Sequence, residues 1–185
     1  MRTLAAFLLA GLCALPAQAQ RKHDPLNERE IDQLREYAPE PKKRIDLLLE
    51  YTKARMLAVV RMGKAAKPDV EKLGDLLSDF TALVDELDNN LEMYNSHSED
   101  LRRPLRHVLE AEAEFDKSLQ ALDAGATPLQ KREFSAALED AQEAVKTSTE
   151  SAKAMLADQL AKKGEEKDKD KLDKQEAKEK KRSEE

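Results

Sequence analysis

Between Leu26 and Leu160 the apolar residues recur every three or four positions, in runs punctuated by proline, glycine or short polar turns. That spacing places side chains on one face of an α-helix, so each run predicts an amphipathic helix. The clearest stripe is Leu73, Leu76, Leu77, Phe80, Leu83, Val84, Leu87, Leu91 and Tyr94. Pro68 opens it, with Asp69 and Glu71 at the positive end of the helix dipole. Ahead of it, Ile45, Leu48, Leu49, Met56, Val59 and Val60 predict a helix from Pro41 to Met62, with Gly63 as its stop. A shorter helix carries Ile31 and Leu34 behind the capping-box pair Asn27 and Glu30 and ends before Pro39 and Pro41.

After a turn at Asn95-Ser96-His97-Ser98, Leu101, Leu105, Val108, Phe115, Leu119 and Leu122 mark a fourth helix that closes at Gly125. Pro104 removes one backbone bond near its beginning, so the helix either bends there or starts there. Thr127-Pro128-Leu129-Gln130 combines an N-cap, a first-turn proline and a capping-box glutamine. The fifth helix then carries Phe134, Leu138, Ala141, Val145, Ser148, Ala152 and Met155 at heptad spacing, a seam whose small central residues permit close approach.

Long helices joined by short turns run antiparallel. The expected fold is therefore all-α: an up-down antiparallel bundle of four long helices plus a short N-terminal helix. An elongated three-helix coiled coil, with the second helix packed elsewhere, is the alternative. Past Leu160 the pattern dissolves into Lys, Glu and Asp with Leu172 the one large apolar residue. Such a segment cannot bury enough apolar surface to offset the entropy of ordering it, so residues 162–185 are expected to form a disordered charged tail, although the alternating signs support a transient solvated helix.

The first residues read as a secretory signal peptide: Arg2, an apolar run from Leu4 to Leu12, a break at Pro16, and small residues in Ala17-Gln18-Ala19 with cleavage before Gln20. The division is thus 1–19 signal peptide, 20–161 bundle domain and 162–185 tail. The apolar run is too short to span a bilayer, so no transmembrane helix is expected in the mature chain, which would be periplasmic or secreted. Cys13 is the one cysteine, and bulky Leu12 before it argues against lipidation. Processing leaves no cysteine, which removes disulfides, thiol catalysis and cysteine metal sites.

Composition agrees with long helices: 38% charged, 4% aromatic, 5 Gly and no Trp. A net charge of −6 supplies no counterion-release term for nucleic acid, so none is expected as a partner. No glycine-rich phosphate loop, nucleophile elbow or catalytic cluster is present, and the serines and threonines read as cap, turn or seam residues. His23, His97 and His107 lack the Glu-x-x-His spacing of di-metal bundles, since Tyr94 and Pro104 stand three before the latter two. Neither a metal nor a cofactor is expected. Two features stand out. Glu112 falls on the apolar stripe of the fourth helix and is a candidate buried acid, unless a slight rotation lets its carboxylate reach water. Arg102, Arg103, Arg106 and His107 crowd the dipole-disfavoured start of that helix. They are read as charge partners for Asp88 and Glu92 across a hairpin, or as an anion site.

Thr127-Pro128-Leu129-Gln130, and less closely Asn27-Glu28-Arg29-Glu30, resemble the Leu-Thr-x-x-Gln helix starts of small periplasmic all-α chaperones related to Spy and CpxP. The similarity covers a few residues, and Ala126 stands where those proteins have leucine. It implies a chaperone-like or small-ligand-binding helical bundle. The residues themselves favour a non-enzymatic exported protein that works through an unknown protein partner or by self-association, or has a structural role in the cell envelope.

Overall fold

A computed structural model describes residues 24–183 and carries describable side chains to Gly164. The signal-peptide segment, Cys13, His23 and the cleavage position lie outside the described residues. Five helices follow one another: α1 Glu28–Glu36, α2 Pro41–Gly63, α3 Val70–Ser96, α4 Arg102–Gly125 and α5 Pro128–Ser183. No strand occurs among the described residues. The protein is an all-α bundle of α2 to α5, with α1 packed along α2.

Local chemistry starts each helix where polar caps stand. Asn27 accepts from the Glu30 N–H while Glu30 accepts from the Asn27 N–H, closing a reciprocal capping box. Thr127 and Gln130 make the same exchange at α5, at 3.3 and 2.9 Å. At α3 the cap is Asp69, which accepts from the Lys72 N–H at 3.1 Å, so Pro68 stays outside the helix. Pro104 does not kink α4: the helix begins at Arg102, and the proline sits in the first turn, where its missing N–H costs nothing.

The order of helices around the bundle is α2, α3, α5, α4. Consecutive helices alternate in direction, as short turns require, but α3 and α4 stand on a diagonal and are not side-by-side neighbours. In consequence α3 runs parallel to α5, and α2 parallel to α4. The core is continuous from Ile45, Leu48 and Leu49 of α2 through Leu77, Leu87 and Leu91 of α3 to Leu105, Val108 and Leu119 of α4. All seven seam residues of α5 are buried. Phe80 of α3 and Phe115 of α4 meet edge to face across the diagonal, 5.2 Å between centroids and 84° between planes. At one end of the bundle Gly63 of α2 lies under Leu122 of α4, where a Cβ would run into the leucine side chain. At the other end Gln159 of α5 clamps the α3–α4 turn. It accepts from the Leu101 N–H at 2.9 Å and donates to Asn95 Oδ1 and the Glu99 carbonyl at 2.9 and 2.8 Å.

Two arginines of α2 hold α1 in place. Arg55 donates to the Pro25 carbonyl and to Glu30, and Arg44 bridges the Leu34 carbonyl at 2.6 Å and Asn90 of α3 at 2.8 Å. Beyond Gln159 the backbone of residues 162–183, read from composition as a charged tail able to form a solvated helix, continues α5 to Ser183. The segment contains no proline, and its acids and bases alternate at spacings that favour a solvated helix.

Phe80→Ala is expected to cost about 3–5 kcal/mol, because it empties the centre of the bundle and strands the Phe115 ring; urea denaturation measures it, and a loss below about 1 kcal/mol would contradict the diagonal packing. Gln159→Ala is expected to cost about 1–2 kcal/mol and to speed hydrogen exchange at the Leu101 amide. An unchanged rate there would remove the clamp.

Candidate functional site

The positions that combine charge with burial meet at mid-height, where α4, α5 and α3 face one another. Glu112 follows Val108 and precedes Phe115 and Leu119 on the α4 stripe, and the structure leaves it 1% exposed. The slight rotation that would bring its carboxylate to water does not occur. Ser148 of α5 donates its hydroxyl to Glu112 Oε1 at 2.6 Å, while Oε2 has no hydrogen-bond partner. Burial raises the Glu112 pKa above the ordinary carboxyl value. The Ser148 and Thr149 hydroxyls pull the other way, Asp88 adds to the rise and Lys153 opposes it.

Asp88 of α3 approaches the same Ser148 from the opposite side. Its pKa is also raised, first by burial, with the Ser151 hydroxyl lowering it and Glu92 and Asp85 raising it, and its Oδ1 has no partner. The sequence marked Glu112 by its place in the stripe. Asp88 and Ser148 escaped as its companions because their proximity depends on α3 and α5 being neighbours. The heptad seam contained the signal for Ser148, a hydroxyl at a buried position.

The Arg102, Arg103, Arg106 and His107 cluster does not assemble as expected. With α4 diagonal to α3, Asp88 turns to Ser148 and Ser151 of α5. Arg102 instead grips Asp100 through Nε and Nη2 at 2.7 and 2.6 Å, which holds that carboxyl well below its usual range. His107 Nδ1 lies 3.5 Å from Asp46 of α2, and Arg103 and Arg106 face solvent. His97 Nδ1 contacts the Met93 carbonyl at 2.7 Å. Among the described residues no group of three or more His, Cys, Asp or Glu is placed to hold a metal ion.

Two of the concavities on the bundle bear on function. An apolar pocket of about 250 Å³ at one end is lined by Val60, Leu73, Leu122 and Phe134, with Lys64 and Lys117 also contributing. A longer groove of about 940 Å³ runs between α4 and α5, with Glu112, Thr149 and Val145 in its lining and carboxylates from both helices around it. No helix of the described residues is long and apolar enough to cross a membrane. Compared with known proteins, the chain matches no family model, no curated protein and no solved structure.

The raised Glu112 pKa fixes the sign of a pH effect. The folded state keeps this proton after the unfolded chain has released it, so the stabilisation is complete below the ordinary value of 4.5 and is lost as pH rises through the folded value. Glu112→Gln is expected to be more stable than the parent at pH 8 by about 1–3 kcal/mol, with the difference closing toward pH 4. Glu112→Leu should raise Tm at neutral pH as well, since Ser148 can bond back to its own helix. Denaturation of the three proteins at both pH values decides this; a parent more stable than both variants at pH 8 would contradict it.

Proposed function

We infer that this chain is a non-enzymatic exported helical-bundle protein that acts in the cell envelope through contact with another protein or with a second copy of itself. The observation that carries the reading is the distribution of apolar surface. The four helices spend their stripes on one another, and among the described residues the large apolar side chains left exposed, Leu57, Met93, Leu129 and Leu160, are scattered singly. A cradle for unfolded clients needs several hundred Å² of contiguous apolar surface, which these residues do not form. Export rests on the signal-peptide pattern of the first 19 residues. The continuation of α5 past the Gln159 clamp adds a charged helical arm about 35 Å long, at 1.5 Å per residue, suited to polar contact with a partner.

A second reading, a periplasmic chaperone-like or small-ligand-binding bundle, draws on the apolar end pocket beside Lys64 and Lys117. Its volume suits a small apolar molecule carrying a negative group.

Crosslinking in the native envelope followed by mass spectrometry separates the two. The interaction reading expects one or a few specific protein partners, or a homodimer, and expects removal of residues 165–185 to diminish capture while leaving the bundle's Tm within about 2 °C. Recovery of nonspecific neighbours alone, with a small apolar molecule bound to the purified protein, would replace it with the second reading.

A further inference from the structure

We propose that the apolar pocket at the end of the bundle, where the α2–α3 and α4–α5 turns lie, binds an aliphatic carboxylate of about eight to ten carbons, with its chain among the helices and its head group at Lys64 and Lys117. The proposal rests on the second reading above and names the class of ligand for it. All four long helices build the pocket. Leu73 of α3 and Phe134 of α5, both buried, line it together with the half-buried Val60 of α2 and Leu122 of α4. A dry apolar cavity of about 150 Å³ holds one six-carbon ring, so this pocket of about 250 Å³ has room for a chain of the stated length. It is only half enclosed, so a ligand reaches these side chains from solvent.

The polar part of the lining selects an anion. Lys64 and Lys117 contribute to it, and among the described residues no aspartate or glutamate does. By contrast, the α4–α5 groove, the cleft that holds Asp85 and Asp88, and the hollow beside His107 are each edged by several carboxylates. Gln130 adds to the preference: its Oε1 is taken by the Thr127 N–H and hydroxyl, each at 2.9 Å, so its amide has only N–H donors left to offer. Acids close by are already engaged, Asp123 by Lys131 at 2.6 Å and Asp69 as the cap of α3. Lys117 pairs with Glu114 at 2.7 Å on an exposed face, a weak attachment that a ligand carboxylate can share. Leu122 limits the chain length. Its Cδ1 fills the space that a Cβ on Gly63 would need, so this one side chain closes the contact of α4 with α2 at the edge of the pocket. The charged arm of α5 leaves from the opposite end of the bundle, beyond Gln159, so ligand binding and partner contact do not compete.

The test is isothermal titration of the full chain with octanoate, octan-1-ol and octylammonium, followed by alkanoates of increasing length. The expected result is saturable binding of one octanoate per chain, binding of the alcohol weaker by about fivefold or more, and none of the ammonium. Affinity should rise about threefold per added methylene and level off near ten carbons. The double variant Lys64→Gln, Lys117→Gln should lose about fivefold for octanoate and leave octanol unchanged, whereas Lys146→Gln, an exposed lysine outside the pocket, should stay within about twofold. Leu122→Ala should move the levelling-off to longer chains. Thermal melts check folding, and the exposed lysine variants keep the test decisive where Leu122→Ala is unstable. Octanol bound as tightly as octanoate, or a double lysine variant that binds octanoate like the parent, would overturn the carboxylate proposal and leave the small-ligand reading standing. A levelling-off unmoved in folded Leu122→Ala would overturn the assignment to this pocket, and no saturable binding of any probe would remove both.

Discussion

The structure depends on the closure of α3 and α4 across the centre of the bundle. Phe80 and Phe115 fill the middle from opposite corners, and α2 and α5 occupy the remaining corners. Placing sequence neighbours on the diagonal requires α5 to pack against both, one in parallel and one antiparallel. The α5 seam is built for that double contact. Its large residues, Phe134, Leu138 and Met155, lie toward the ends, while Ala141, Ser148 and Ala152 keep its middle narrow beside the phenylalanine pair. A helix with large side chains throughout would hold α3 and α4 too far apart for the rings to meet.

The same arrangement creates the polar layer. A carboxyl on α4 facing α3 directly would meet another acid, since Asp88 stands on that helix. With α5 between them, Ser148 stands between the two carboxyls and donates its one hydroxyl proton to Glu112, while the Ser151 hydroxyl acts chiefly on Asp88. Each group still carries a desolvation cost that one hydroxyl does not cancel, which is why both pKa values rise. Elsewhere buried polar groups are saturated: Thr52 returns its hydroxyl to the Leu48 carbonyl, and Asn90 accepts from Arg44 and donates to Glu86. The unsatisfied side-chain oxygens are confined to the Glu112–Asp88 layer among the described residues.

Much of the fold was legible because it rests on local periodicity. Stripe spacing located all five helices, and the capping boxes at Asn27 and Thr127 formed as their residue types require. The Thr127-Pro128-Leu129-Gln130 likeness to periplasmic chaperones is fully accounted for by that capping chemistry. Neighbour relations were not legible, since spacing within a helix says which face is buried and not which helix covers it. The charge cluster at Arg102 to His107 went astray on that point: a hairpin was assumed where a diagonal occurs. The tail raises a separate point. Composition measures the apolar area available for tertiary packing, and the alternating acids and bases also support a solvated helix, the form in which α5 continues to Ser183.

Glu112 is also where burial and polar satisfaction part company. A carboxylate whose purpose is register has both oxygens held, because any free lone pair in the interior adds cost without adding specificity. A carboxylate meant only to face solvent has neither held and lies outside the stripe. Glu112 meets neither description: Ser148 pins one oxygen, while the other is buried and unbonded. Half-saturation of this kind favours the neutral carboxyl, since a buried carboxylate with an unbonded oxygen is costlier to desolvate than the protonated group.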